Sequence, residues 1–290
     1  MKPPAFDYLR AATLDEVLEA LWEGGSDARI LAGGQSLLPM LNMRLARPSV
    51  LVDVMHVDAL RQVTASGDAL KIGAAVRQAQ IEHRADLVGE LPLLAAAIPW
   101  VGHMQTRASG TLCGSVAHAD PSAEIPLVLL ALLGSVHLRS RKQRRTLKAD
   151  DFFTGMMATA RADQEVIEAI SFPLARPDTG YAFREVGRRH GDFAIVACAA
   201  VVDRKGARLA VGGVADMPMA RPLPLPEEGS ALDDALETFA WDLNARDDLH
   251  ATARYRRELV RRLGRQVIEE AVRRRDGVTP PPTGHQQDAA

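Results

Sequence analysis

Leu14, Val17, Leu18 and Leu21 recur at helical spacing behind Thr13, and Glu16 stands three residues after that threonine. The pattern predicts a helix over residues 13–23, opened by a capping box and stopped by Gly24-Gly25. Residues 28–32 and 50–54 are short apolar runs bounded by turn formers, which predicts two buried strands. Residues 36–45 read as a helix between them, with Pro39 in its first turn. The result is a small helix–strand–helix–strand unit with parallel strands. Further along, the pattern predicts a strand over 70–74 and helices over 77–86 and 91–98. A Gly-rich stretch follows over 102–114, then a buried helix over 126–133. A hairpin joins 135–138 to 145–147 across a basic turn, and a strand over 166–172 is closed by Pro173. Residues 173–177 mark a boundary. Strands over 181–186, 194–203 and 208–214 come next, then a Pro-rich connector over 218–226 and alternating acidic and apolar residues. A helix over 251–275 carries Tyr255, Leu259, Leu263, Val267, Ala271 and Val272 as its core stripe. Residues 277–290, with Pro280-Pro281-Pro282, read as a disordered tail. No internal repeat is visible.

Composition narrows the function classes. A chain of 290 residues that is 47% hydrophobic can bury a real core, as one large or two modest domains. A formal net charge of −2 gives no global reason to bind nucleic acid or an anionic membrane, and an aromatic fraction of 4% is too low for a base-stacking platform. The two cysteines, Cys113 and Cys198, cannot ligate an iron–sulfur cluster or a structural zinc alone. No apolar run is long enough for a membrane span and the opening residues do not read as a signal peptide, so a soluble cytoplasmic protein is expected.

Two segments carry candidate chemistry. The first is Leu31-Ala32-Gly33-Gly34-Gln35-Ser36-Leu37, between a strand and a helical segment. Adjacent glycines let backbone N–H groups approach an anion, and Ser36 adds a hydroxyl donor, so the loop suits a pyrophosphate. It matches neither a Walker A loop nor G-x-G-x-x-G. Taken alone, a tight strand-to-helix turn with no ligand is the better reading of these residues. The second segment, 106–115, offers hydroxyls and backbone donors, and the following His118-Ala119-Asp120-Pro121-Ser122-Ala123-Glu124 sets two carboxylates near a proline turn. Carboxylates suit ribose hydroxyls. The alternative is a loop capped by Asp120 and Ser122.

Together these segments resemble the FAD-binding subunits of the xanthine dehydrogenase and carbon monoxide dehydrogenase group of molybdenum hydroxylases. The family's first loop reads A-G-G-x-S-L-x-P-x-x-x-x-R, matched by Ala32, Gly33, Gly34, Ser36, Leu37, Pro39 and Arg44. Its second reads T-I-G-G-N-x-x-H-A-D-P-x-x-D, matched by Thr111, Gly114, His118, Ala119, Asp120 and Pro121. Residues 188–196 are similar to R-x-G-D-[FY]-A-x-V, and Phe6-Asp7-Tyr8 and Asp151-Phe152-Phe153-x-Gly155 are familiar too. The likeness spans about residues 5–275. Cys113 departs from a usual glycine, Ser115 from asparagine and Glu124 from aspartate. Cys113 would bring a bulkier side chain beside the expected cofactor path.

The resemblance implies an α+β fold. Residues 1–175 would form a two-subdomain FAD-binding domain of the PCMH/vanillyl-alcohol-oxidase-like type. A smaller C-terminal domain of antiparallel sheet and helices would follow over 176–276. It implies FAD in the cleft between subdomains, and because covalent attachment needs a suitably placed His, Cys or Tyr while the first loop carries Gln35, the FAD is expected to be noncovalent. Leu31, Ala32, Gly33, Gly34, Gln35, Ser36 and Leu37 would wrap the pyrophosphate from one side. Thr111, Gly114 and Ser115 would meet it from the other, with Thr106 and Gly110 nearby. Asp120 and Glu124 would lie towards the ribose, Ile167 against the adenine, Arg184 near the flavin ring and Phe193 near the isoalloxazine. Neither a catalytic triad nor a metal in this chain is expected. The molybdenum cofactor and [2Fe-2S] clusters would sit on a large and a small partner subunit, in a dimer of heterotrimers. The chain would pass electrons from the clusters to an external acceptor. Two other readings stay open: a free-standing flavin oxidase or reductase, and a flavin-free binding module.

The remaining suspects read blandly. His56, His83 and His103 are isolated. The basic run 139–145 reads as a solvated hairpin tip, and Arg256, Arg257, Arg261 and Arg262 as the wet face of the last helix. Cys198, in an apolar strand, reads as buried and inert.

Overall fold

The computed structural model describes residues 2–226 and 230–277, so most of the expected tail lies outside the described residues. The chain starts with a parallel sheet in the order β1–β3–β2, made of β1 (Asp7–Arg10), β2 (Ala28–Leu31) and β3 (Val50–Asp53). Between β1 and β2 runs α1 (Leu14–Gly24), whose Thr13 cap accepts from the Glu16 N–H at 3.2 Å. Its inner face is Leu14, Val17, Leu18 and Leu21, as the spacing requires. The next helix, α2 (Leu37–Asn42), is shorter than the sequence pattern suggested. Arg44 lies in the left-handed region at φ 59°, so the helix cannot run on to residue 45.

A second sheet is antiparallel throughout. It combines β4 (Val63–Ser66), β5 (Ala69–Gly73), β6 (Ser135–Arg139) and β7 (Arg144–Lys148). After a small two-stranded pair, β8 (Phe153–Gly155) with β9 (Ala158–Thr159), the strand β10 (Val166–Pro173) enters it, giving the order β4–β5–β10–β6–β7. Between β5 and β6 lie the helices that approach the first loop. They are α3 (Gln78–Glu82), α4 (Leu87–Glu90), α5 (Pro92–Ala97), α6 (Met104–Ser109), α7 (Leu112–His118) and α8 (Glu124–Ala131), and α9 (Ala149–Phe152) follows β7. The Gly-rich stretch holds α6 and the start of α7. Every residue of α8 is buried, which is the mark of a helix enclosed on all sides.

The last part is a four-stranded antiparallel sheet with two helices. Its strands are β11 (Gly180–Val186), β12 (Val196–Asp203), β13 (Gly206–Gly212) and β14 (Met219–Leu223), followed by α10 (Ala231–Asp242) and α11 (Ala253–Arg275). The expected connector over 218–226 contains β14. It pairs with β13 alone, so Pro222 sits on an edge strand, where the missing N–H is tolerated. Strand alternation sends Tyr181, Phe183, Ala197 and Ala199 into the core shared with α8, and Ala182, Cys198 and Ala200 towards α10 and α11. The expected stripe of α11 is rotated at its start. Tyr255 is about half exposed, whereas Arg256 is only 6% exposed.

Candidate functional site

The first loop turns sharply at Gly34, which has φ 71°. Among the described residues, the backbone N–H groups of Gly33, Gly34, Gln35 and Ser36 donate to no other group. Gln35 instead closes the loop on itself, its Nε2 donating to the Gly33 carbonyl at 2.9 Å. Successive free N–H groups around a left-handed residue form a concavity for anionic oxygens.

The second segment lies directly against this turn. A Cβ placed on Gly33 would stand 2.3 Å from the Ser109 carbonyl oxygen and 2.5 Å from Gly110 Cα. One placed on Gly114 would come within 4.0 Å of Ala32 Cβ. Thr111 is buried and caps α7, its hydroxyl accepting from the Gly114 N–H at 3.0 Å. The third motif joins from the other side. A Cβ on Gly191, which has φ 87°, would touch His103 and the Gly102 carbonyl oxygen. His190 stacks near Trp100, with ring centroids 4.9 Å apart. Residues 32–34 and 109–114 are thus brought together by direct backbone packing, and residues 190–191 lie against Trp100, Gly102 and His103, just before α6. Thr106, in α6, supplies the carbonyl that accepts from the Gly110 N–H at 2.7 Å.

The acidic turn follows α7 and is tied to the C-terminal sheet. The Asp120 carboxylate accepts from the Ser122 N–H at 2.8 Å, and the Pro121 carbonyl accepts from the Gly213 N–H at 2.8 Å. Glu124 opens α8 and is buried. Burial pushes its carboxyl well above the usual carboxylate range, and the nearby Asp120 charge adds to the effect. Burial also keeps His118 neutral at lower pH than usual, against the opposing pull of Asp120.

Three expected positions come out differently. Arg184 alternates to the α11 side of β11 and pairs there with buried Glu270, Nη2 to Oε2 3.0 Å. Its guanidinium thus lies on the α11 face of the sheet, opposite to Glu185. Cys113 is turned into the core, where its thiol donates to the Ile72 carbonyl at 3.6 Å and burial pushes its pKa up to about 12. The extra bulk therefore does not enter the loop face. Arg256 belongs to no wet face, since its side chain is buried against strand ends. Ile167 lies in β10 opposite Leu138, buried in the main core, and Phe193 is 67% exposed in the loop that carries Gly191.

Sequence reasoning missed three residues. Gln78 is buried. Its backbone N–H donates to the Gly110 carbonyl at 2.8 Å, and its side-chain amide reaches the Thr111 carbonyl at 3.5 Å. Its Oε1 is buried without a hydrogen-bond partner among the described residues. Arg107 ties α6 down, donating to Glu82 at 2.8 Å and to the carbonyls of Val101 and Gly102. Glu185, one residue after Arg184, points the other way. One of its oxygens is buried without a partner, and burial together with the Glu124 charge raises its pKa strongly.

The Glu124–Glu185 pair makes stability pH-dependent with a definite sign. Carboxyls whose folded pKa is raised hold protons that the unfolded chain has already lost. Their contribution is fully present below the ordinary carboxylate range and is lost as pH rises through the raised values. Glu185→Gln is expected to melt above wild type at about pH 8, by roughly 3 °C for each kcal/mol recovered, with the gain shrinking towards about pH 5. Parallel melting curves for the two proteins across that range would rule out a raised carboxyl at this position.

The family model described as FAD binding domain in molybdopterin dehydrogenase matches residues 4–175. The chain is 38% identical over 282 residues to the nicotine 6-hydroxylase medium subunit of Paenarthrobacter nicotinovorans, covering 93% of this chain and 99% of that one. It is 34% identical over 284 residues to the glyceraldehyde dehydrogenase medium chain of Sulfolobus acidocaldarius, covering 93% and 99%. Its structure resembles a chain of carbon monoxide dehydrogenase from Hydrogenophaga pseudoflava with a TM-score of 0.87 at 30% identity, covering 93% and 98%.

Proposed function

The chain belongs to the family of FAD binding domains in molybdopterin dehydrogenases, and from that premise we propose that it is the FAD-carrying electron-transfer subunit of a multi-subunit molybdenum hydroxylase. The observation that carries the reading is the set of four free N–H groups at residues 33–36, wrapped around Gly34 and backed by Ser109–Gly110. That donor set fits a pyrophosphate, and the carboxyls of Asp120 and Glu124 fit ribose hydroxyls.

Residues 31–37 hold the diphosphate from one side. Thr111, Gly114 and Ser115 complete the cradle, with Thr106 and Gly110 setting its backbone. Ile167 packs towards the adenine, and Phe193 stands at the flavin end. Bound FAD supplies two-electron acceptance with release singly or as a pair. The chain's own work is to bind, orient and shield it. Residues 1–175 form the cofactor domain and 176–276 a smaller C-terminal domain. Partners are a small iron–sulfur subunit and a large molybdenum subunit, assembled in the cytoplasm as a dimer of heterotrimers. The named relatives are themselves a medium subunit and a medium chain, which supports a division of labour among chains.

The test is to release the cofactor. The purified chain is expected to be yellow, and mild acid is expected to send all of the colour into the supernatant as FAD. The buried Cys113 thiol is turned into the core and offers no exposed nucleophile for a covalent bond. Colour that stays with the precipitate refutes noncovalent binding. A colourless chain that does not take up added FAD refutes the reading as a whole.

A further inference from the structure

The strand ladders of the C-terminal sheet stop one residue short of two carbonyls, those of Ile195 before β12 and Gly213 after β13. Arg256 reaches both from α11. Its Nη1 lies 3.0 Å from the Ile195 oxygen and 2.5 Å from the Gly213 oxygen. Its Nη2 lies 2.5 Å from Asp248, whose other oxygen accepts from the N–H groups of His250 and Ala251. A guanidinium is suited to this task. Its planar, always charged fork can meet carbonyls and a carboxylate at once, which a lysine cannot do from the same place.

What these two carbonyls belong to gives the contact its meaning. The Gly213 N–H donates to the Pro121 carbonyl, next to Asp120. Gly213 has φ 81°, and a Cβ there would strike the Ala194 and Ile195 carbonyls at 2.8 and 2.9 Å, so only glycine lets the two strand ends meet. Ile195 in turn ends the loop over 187–194, which presses Gly191 against Gly102 and His103. One buried side chain on the last helix therefore holds both the Asp120–Pro121 turn and the loop that bears Phe193.

We propose that Arg256 is a positioning residue for the cofactor: it fixes these two walls of the cleft in register and so sets how tightly the chain retains FAD. The proposal rests on the FAD reading above.

The experiment uses the full chain, wild type and Arg256→Lys, with FAD titration, FAD release kinetics, visible circular dichroism of the bound flavin and hydrogen exchange. In Arg256→Lys we expect FAD to bind about tenfold more weakly through faster release, and the flavin dichroic band to change. Exchange should quicken at the Gly213 amide and across 187–194, while amides in the middle of β12 and β13 keep their wild-type protection. If Arg256→Lys does not fold, Asp248→Asn carries the test, because it keeps the guanidinium on its carbonyls and loosens only its partner. The same pattern is then expected at about threefold. Unchanged FAD affinity and dichroism in the folded variant overturn the proposal. So does exchange that quickens evenly through the sheet, which marks a role in stability alone. Failure of the wild-type chain to bind FAD would show in the first titration and would remove the FAD reading, and the proposal with it.

Discussion

Gly33→Val is expected to give a folded chain without flavin. A side chain at this position does not meet a ligand first. It meets backbone: the Ser109 oxygen at 2.3 Å, Gly110 Cα at 2.5 Å and the Gly110 nitrogen at 2.9 Å. None of these can rotate away, so either the first loop or the second must shift. The free N–H groups of residues 33–36 then lose their position against Ser109 and Gly110. A misplacement of this size is expected to weaken FAD binding by about a hundredfold or more, the loss of several charge-assisted hydrogen bonds. Gly34→Ala tests the mechanism by contrast. Its neighbour is the flexible end of Leu38 at 2.9 Å, and its main cost is a non-glycine residue at φ 71°, roughly 1–2 kcal/mol. About a tenfold loss is expected there. The flavin-to-protein ratio of purified variants measures both. A Gly33→Val chain that keeps full flavin, or a larger loss at Gly34→Ala than at Gly33→Val, would take loop–loop packing out of the explanation.

The first loop was legible because its signals are local. A short apolar strand, two glycines and a helical segment specify strand, turn and helix without help from the rest of the chain. Residues whose importance depends on a distant partner were not legible. Arg256 sits among Arg254, Arg257, Arg261 and Arg262, and charge alone marks all of them as solvent-facing. What selects Arg256 is the pair of unpaired carbonyls at Ile195 and Gly213, which exist only once the sheet has formed. The same cause rotates Tyr255 outward. Arg184 and Glu185 show the limit of period two. Alternation says that they face opposite ways, but not which face meets α8. The answer lies 86 positions away in Arg184's contact with Glu270. Gln78 carried no signal beside Gln80, whose side chain accepts from the Arg77 N–H at the start of the same short helix. In α10, acidic residues over 233–237 masked the apolar face of Leu232, Leu236, Phe239 and Ala240.

The isolated chain, loaded with FAD, is expected not to oxidise the organic substrate of its complex, yet to accept electrons from the iron–sulfur subunit or from an artificial donor. Hydroxylation needs a group that activates water and takes an electron pair from the substrate. Among the described residues no three His, Cys, Asp or Glu side chains are placed to hold a metal ion. The two cysteines lie apart, in α7 and β12, both buried, and burial raises the pKa of both thiols. Burial raises the Glu124 and Glu185 carboxyls above the usual carboxylate range. What the chain does offer is a rim suited to contact. Leu38, Met104 and Phe193 are exposed, and each flanks one of the gathered loops. Apolar side chains left in water beside such a cleft fit a surface that another subunit covers, where close approach permits electron transfer. The measurement is anaerobic stopped-flow on the isolated chain and on the assembled complex. With the organic substrate, flavin absorbance should bleach rapidly in the complex and stay unchanged in the isolated chain over the same time. Adding the reduced iron–sulfur subunit to the isolated chain should restore bleaching. Rapid bleaching by the organic substrate in the isolated chain would place the oxidation site on this chain and replace the electron-transfer reading with a free-standing oxidase.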